Sequence, residues 1–221
     1  STIIGDSLQR IHRALGYKVI AVNHLGDWGT QFGNLVAAYE RKFGDLNFRD
    51  ELSVDDLLSL YVDFHTQLVS DPTLKAEGQA MFRRLEAGDE QVRALWQHFV
   101  DLSLNTFETM YSRLGITFDD VRAGESRYQP MVPDLIEKAE SAGSAVLSDG
   151  ALVIHIPNES IPLILRKSDG STIYATRDLA AIQYRIREYQ PNKIVYVVAN
   201  EQALHFRQVF AAARMLDLLP Q

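Results

Sequence analysis

Tyr17-Lys18-Val19-Ile20-Ala21-Val22-Asn23 is a short, β-branched run of the kind that forms a strand covered on both faces. His24-Leu25 and a turn-like Gly26-Asp27-Trp28-Gly29 follow it. Beyond the turn, Trp28, Phe32, Leu35, Val36, Tyr39 and Phe43 recur on one face of a helix. Ahead of the run, Ile4, Leu8, Ile11 and Leu15 share another helical face, and Gly16 is placed to end that helix in a left-handed cap. This helix–strand–helix order predicts part of a βαβ unit whose first strand lies before Ser1.

The same rhythm returns in the last third. Ala175, Leu179, Ile182, Ile186 and Tyr189 trace a helix that must end before Pro191. Lys193-Ile194-Val195-Tyr196-Val197-Val198 is again strand-like, and Phe206, Val209, Phe210 and Ala213 mark a further helix. Alternating buried strands and helices predict an α/β fold with a parallel sheet. The runs 17–23 and 193–198 are expected in one sheet despite the long stretch between them.

That stretch has another texture. From Gly44 to Leu114 the pattern is helix after helix, with stripes at Leu57, Tyr61, Phe64 and Leu68 and from Val92 to Met110. Asp71-Pro72 opens one of these helices, with Pro expected at its first position. Residues 144–165 then turn to short extended runs, with a hairpin turn at Asp149-Gly150. The intervening part is expected to be a helical lobe carrying a small β element.

Composition narrows the function classes. The chain has 221 residues, 22 basic against 29 acidic (net charge −7), 46% hydrophobic residues and no cysteine. It is too apolar for disorder, and no apolar run approaches the ~20 residues that span a bilayer. Disulfides, thiolate metal sites and a cysteine nucleophile are excluded. The acidic balance argues against nucleic-acid binding by bulk positive charge. A cytoplasmic setting, with no membrane partner, is expected.

In parallel sheets, ligands collect beyond the carboxyl ends of the strands. After the first run, Asn23 to Gly33 reads either as a plain strand-to-helix turn, with Asp27 as N-cap, or as a turn that lets backbone approach a ligand. Tyr174 and Asp178 stand four apart at a helix start and face one point. Asp178 reads either as a residue favouring the helix dipole or, with Tyr174, as a clamp for a planar cation. Gln202 and His205 follow the second run, and no residues show metal-ligand spacing.

Several strings carry a more specific signal. Ser1-Thr2-Ile3-Ile4-Gly5-Asp6, Asn23 to Gly33, Arg166-Lys167-Ser168-Asp169-Gly170, Tyr174-Ala175-Thr176-Arg177-Asp178-Leu179-Ala180-Ala181 and Gln202-Ala203-Leu204-His205-Phe206 together resemble the arginyl-tRNA synthetases, a class I family, in order and spacing. The resemblance runs through essentially the whole chain. It implies a Rossmann-like catalytic domain: residues 1–43 as the first part of the nucleotide-binding fold, 44–165 as an inserted lobe, and 166–221 as the second part. The family's His-x-Gly-His and Lys-Met-Ser-Lys-Ser signatures are expected outside this sequence, which reads as a central piece, inactive alone.

The resemblance implies ATP-dependent activation of L-arginine to arginyl-adenylate, with Mg²⁺ as cofactor, then transfer to the arginine tRNA through regions mainly outside this chain. It places Tyr174, Asp178 and Gln202 at the arginine and His205 at ATP. Asn23, Gly26, Asp27 and Trp28 would shape the pocket. No catalytic side chain and no metal ligand is assigned. A non-catalytic synthetase-like interaction module is the alternative; a nucleotide-binding enzyme sharing only the sheet is disfavoured, because no Gly-x-Gly-x-x-Gly loop is present.

Overall fold

The hairpin at Asp149-Gly150 forms as the sequence predicts. Both turn residues have positive φ, 49° and 78°, the requirement of the tightest hairpin turn. They join β1 (Val146–Ser148) to β2 (Ala151–Ile154), and β3 (Leu163–Arg166) completes an antiparallel sheet in the order β1-β2-β3. Ser148 pairs with Ala151 beside the turn, and Ile154 pairs with Leu163 across the second ladder. The computed structural model describes residues 1–219, which fall into two units.

The sheet belongs to the unit made of Ser1–Leu25 and residues 118–219. Its other elements are helix α1 (Thr2–Ala14), α6 (Val132–Ser141), α7 (Tyr174–Tyr189) and α8 (Ala203–Met215), with 3₁₀ turns at Glu125–Met131 and Asn200–Gln202. Helix α7 is central, packed on α6, α8, β3 and the first 3₁₀ turn. Ala175, Leu179 and Ile182 fill the core with Tyr128, Leu135, Ile154, Leu165 and Val209. The helix stops where expected: Gln190, with φ 45°, caps it just ahead of Pro191. Burying 40 or so apolar side chains at about 25 cal/mol per Å² is what holds such a chain together.

The second unit, Gly26–Thr117, is helical: α2 (Thr30–Phe43), α3 (Val54–Ser70), α4 (Thr73–Ala87) and α5 (Glu90–Leu114). Its core is Val36, Tyr39, Leu57, Phe64, Leu74, Phe82, Leu85, Leu95 and Phe99, largely the predicted stripes. Helices α2 and α4 meet at two glycines: a Cβ on Gly33 would overlap the Gly78 carbonyl, and one on Gly78 would overlap the Asn34 side chain. Pro72 is the N-cap of α4, one place earlier than expected, because Asp71 already accepts from the Thr73 N–H. Packing therefore groups α2 with the helices that follow it, and β1–β3 with α6, α7 and α8.

Neither 17–23 nor 193–198 forms a ladder among the described residues, and no parallel sheet joins them; the sheet present is the antiparallel one. Both runs are half open: Tyr17, Val195 and Val198 are exposed. Only one side of 17–23 has a bridging neighbour among the described residues. There Val22 bridges Asp120 in parallel sense, and the Ala21 carbonyl accepts from the Asp119 and Asp120 N–H groups. Helix α1 forms and ends at Gly16 (φ 87°) as expected, and Ile3, Ile4, Ile11 and Leu15 on it are exposed.

Candidate functional site

Asp178 sits in the second turn of α7, and the chain reaches it along β3. A tight turn follows β3, in which Asp169 accepts from the Ser171 N–H and hydroxyl, and α7 begins at Tyr174. The Thr176 hydroxyl, fully buried, donates to the Leu165 carbonyl at 2.6 Å and pins the first turn of the helix to the strand. With Ala175, Leu179 and Ile182 turned into the core, Asp178 and Arg185 lie seven residues apart on another face that is also buried.

The Asp178 carboxylate is 10% exposed and held from two sides. Nε2 of His205, in the first turn of α8, donates to Oδ2 at 2.6 Å, and Nε2 of His24 lies 3.5 Å from Oδ1. Burial pushes the carboxyl up; the hydrogen bonds and charges of His205 and His24 outweigh that and leave it below its ordinary range. Tyr174 meets the His205 ring edge-on at 4.8 Å while staying exposed itself. Asp178 thus presents an ionised, nearly dry acceptor beside an exposed aromatic ring, an arrangement suited to a planar cation.

A ring of charge surrounds it. Nε of Arg177 donates to Glu125 at 2.7 Å, and both groups are largely buried. Burial keeps the Glu125 carboxyl above its ordinary value even against the pull of Arg177, and the nearby Asp178 charge adds to that. Arg185 donates through Nη2 to Nδ1 of His24 at 3.1 Å and through Nη1 to the Tyr196 hydroxyl at 3.0 Å. Its guanidinium lies over the rings of Tyr128 and Tyr196. Two carboxylates are balanced by two guanidinium groups. Among the described residues, no group of three or more His, Asp or Glu side chains is arranged to hold a metal ion.

The structure brings together Tyr174, Asp178 and His205. Gln202 closes the 3₁₀ turn just before α8, exposed and without a side-chain hydrogen bond among the described residues. Asn23 is buried: its N–H donates to the Asp120 carbonyl at 2.9 Å and its amide to the Val121 carbonyl at 3.4 Å. Gly26, Asp27 and Trp28 belong to the helical unit, where Trp28 packs edge-on against Phe82 and Trp96 and the Asp27 carbonyl accepts from the Trp96 indole. The N-cap of α2 is Gly29, with φ 141°, rather than Asp27. Sequence reasoning missed His24, Glu125, Arg177 and Arg185. For His24 the strand-end rule was signal enough; for Arg185 its place two turns beyond Asp178 was a usable one. Nothing in the sequence pairs Glu125 with Arg177, 52 residues apart.

The chain has counterparts among known proteins. The family model described as class I tRNA synthetases (R), catalytic domain, matches residues 1–221. An arginine–tRNA ligase of Exiguobacterium sibiricum is 45% identical over 217 residues, 98% of this chain and 38% of that protein. One of Clostridium beijerinckii is 46% identical over 211 residues, 95% of this chain and 37% of its own length. The crystal structure of arginyl-tRNA synthetase from Plasmodium falciparum superposes with a TM-score of 0.83 at 30% identity, over 97% of this chain and 36% of that one. A putative arginyl-tRNA synthetase from Campylobacter jejuni shares the fold, at a TM-score of 0.68 and 16% identity over 98% of this chain and 46% of that one.

The chain belongs to the class I tRNA synthetase (R) catalytic-domain family. It spans about two-fifths of the length of the curated relatives it matches.

Proposed function

We propose that this chain carries the arginine-recognition part of an arginine–tRNA ligase. The observation that supports it most is Asp178: an ionised carboxylate, nearly dry, at the start of a helix, with Tyr174 one turn before it. Arginine offers a guanidinium that keeps its charge at any working pH, and a buried carboxylate is the partner that offsets its desolvation. Lysine brings a single ammonium to a two-pronged acceptor, and citrulline brings no charge.

In the proposed reaction the carboxylate of L-arginine attacks the α-phosphate of ATP, giving arginyl-adenylate and pyrophosphate. The arginyl group then passes to the terminal ribose of the arginine tRNA. The residues of this chain bind and orient; none needs to become covalently attached. Asp178 takes the guanidinium, Tyr174 lies along the side chain, and Gln202, exposed beside α8, adds a polar contact. His205 holds Asp178 through Nε2 and turns Nδ1, which has no partner among the described residues, toward ATP. Mg²⁺ neutralises phosphate charge and would arrive on the nucleotide. Asn23, buried beside Asp120, shapes the pocket.

We further propose that 17–23 and 193–198 are strands of one parallel sheet whose missing neighbours come from other parts of the catalytic domain. Their β-branched sequence and half-open faces support this. On that reading, 1–43 and 166–221 are the two halves of the nucleotide-binding fold and 44–165 is the insertion between them, in a cytoplasmic enzyme. The test is ATP–pyrophosphate exchange by the intact protein with tRNA present. Arginine supports exchange, and lysine and citrulline are rejected by about 10⁴-fold. Exchange with lysine at a comparable rate, or no heat of arginine binding by calorimetry, overturns the proposal and favours an interaction module.

A further inference from the structure

Arg185 is 6% exposed, and among the described residues no carboxylate oxygen lies within ion-pair distance of it. Its Nε is buried without a hydrogen-bond partner. A guanidinium withdrawn from water and given only the phenols of Tyr128 and Tyr196, their ring faces and an imidazole is an expensive way to fill space. An apolar side chain of the same volume would serve a purely structural purpose better. What Arg185 supplies that an apolar residue does not is a donor of fixed direction.

That donor settles the state of a neighbour. A guanidinium has five N–H groups, no acceptor and no tendency to deprotonate. The 3.1 Å contact from Nη2 to Nδ1 of His24 therefore makes Nδ1 the acceptor. An imidazole that accepts at Nδ1 carries its proton on Nε2. Nε2 is the atom that faces Oδ1 of Asp178, at 3.5 Å. The opposite tautomer would turn a lone pair toward the carboxylate and an N–H toward the guanidinium, two repulsions in place of two attractions.

We propose that Arg185 is a positioning residue for the arginine pocket: by donating to Nδ1 of His24 it locks that ring as the Nε2–H tautomer and so keeps an N–H aimed at Asp178. His205 grips the other oxygen at 2.6 Å, so the carboxylate is oriented from both sides before any ligand arrives. The groups acting on it are His24 from the 17–25 segment and His205 from α8, with Glu125 of the 3₁₀ turn and Tyr196 of the 193–198 run near enough to feel its charge; Arg177 pairs with Glu125, and Arg185 reaches the carboxylate through His24. This inference rests on the reading that Asp178 receives the substrate guanidinium.

Two measurements on the intact protein test it. In long-range ¹H–¹⁵N spectra of histidine-labelled protein, His24 reads as the Nε2–H tautomer, and Arg185→Met releases it to a mixture. In tRNA-supported pyrophosphate exchange, Arg185→Met raises the KM for L-arginine by about 10- to 100-fold, the factor for one lost hydrogen bond to a buried charged group, with the KM for ATP unmoved. Arg185→Lys, which keeps a cationic donor, restores most of the loss. A wild-type His24 protonated on Nδ1 overturns the proposal whatever the variants do. So does an Arg185→Met protein that melts lower yet keeps the wild-type arginine KM. Asp178→Asn is the control: if it leaves the arginine KM unchanged, the pocket reading fails and the role of Arg185 with it; if it abolishes exchange while Arg185→Met keeps the wild-type arginine KM, only the Arg185 inference fails.

Discussion

Nε2 of His205 stands 2.6 Å from Oδ2 of Asp178, joining the first turn of α8 to the second turn of α7. The contact fixes the side chain, and a substitution there separates the two readings of Asp178 that the sequence left open. A residue that merely favours the helix dipole is worth about 0.3–1 kcal/mol and has no need of an imidazole partner. Asp178→Asn keeps the size but turns one acceptor into a donor facing His205 or the substrate. Losing a charge-assisted pair to a desolvated ligand costs about 2–5 kcal/mol, or roughly 30- to 5000-fold in arginine affinity. Arginine-dependent pyrophosphate exchange by the intact protein should fall by that factor, with the melting temperature lowered by only a few degrees. Unchanged arginine dependence beside a lowered melting point would place the pocket elsewhere.

The two buried carboxyls should respond to pH with opposite slopes. Asp178 is held below its ordinary value of about 3.8, so the folded state sheds that proton more readily than the unfolded chain. Its contribution is present above that value and lost as pH falls through the folded one. Glu125 is held above its ordinary value of about 4.5, so the folded state keeps its proton longer, and stability declines as pH rises through that window. The melting-temperature gap between wild type and Asp178→Asn should therefore widen from pH 3 toward pH 5. The gap to Glu125→Gln should narrow from pH 4 upward. Gaps that run parallel across the range would contradict both assignments.

Much of this was legible in the sequence, and what was not has physical reasons. Helices α7 and α8 and the hairpin at Asp149-Gly150 are local: apolar period, a following proline and two left-handed turn residues decide them. The runs 17–23 and 193–198 also read as strands, but a ladder depends on a neighbour the run itself does not encode, and only Asp120 supplies one here. The same holds at the site. Tyr174 and Asp178 share a helix face and could be paired by counting residues. The His24 contact comes from 154 positions earlier in the chain and the Glu125–Arg177 pair spans 52, distances over which spacing says nothing.

In the helical unit, the crossing of α2 and α4 depends on the absence of side chains at Gly33 and Gly78. A methyl on Gly33 would run into the Gly78 carbonyl and come within 2.9 Å of the Phe82 N–H nitrogen, and backbone cannot swing aside as a side-chain tip can. Gly33→Ala should destabilise by about 1–3 kcal/mol, as overpacking of a tight core does. Gly44→Ala is a useful comparison, because open space surrounds that site and only its left-handed φ of 78° resists the change. A thermal melt in which Gly33→Ala costs less than Gly44→Ala would mean that the two helices are not in close contact.

At the far end of α7, the Tyr189 hydroxyl donates to Oδ2 of Asp120 at 2.8 Å, and Arg127 donates to the same carboxylate. Asp120 also accepts, through its backbone carbonyl, from Asn23, so this knot anchors the helix that carries Asp178 to the segment that carries His24. Burial first, then the hydrogen bond to Asp120 and its charge, push the Tyr189 hydroxyl up to about 12 from an ordinary 10. A phenol that holds its proton longer in the folded state stabilises fully below pH 10, and that contribution drains away as pH rises toward 12. Tyr189→Phe removes the hydroxyl but leaves Asp120 paired with Arg127. The expected loss is about 1 kcal/mol at neutral pH, the low end for a bond to a charged group because the ring is half exposed. That corresponds to a drop of roughly 2–4 °C for a chain of this size. Melting curves at pH 7 and pH 11 check the linkage: the gap between wild type and Tyr189→Phe should shrink at the higher pH. A gap that is constant or grows with pH would show that the hydroxyl is not bonded to Asp120.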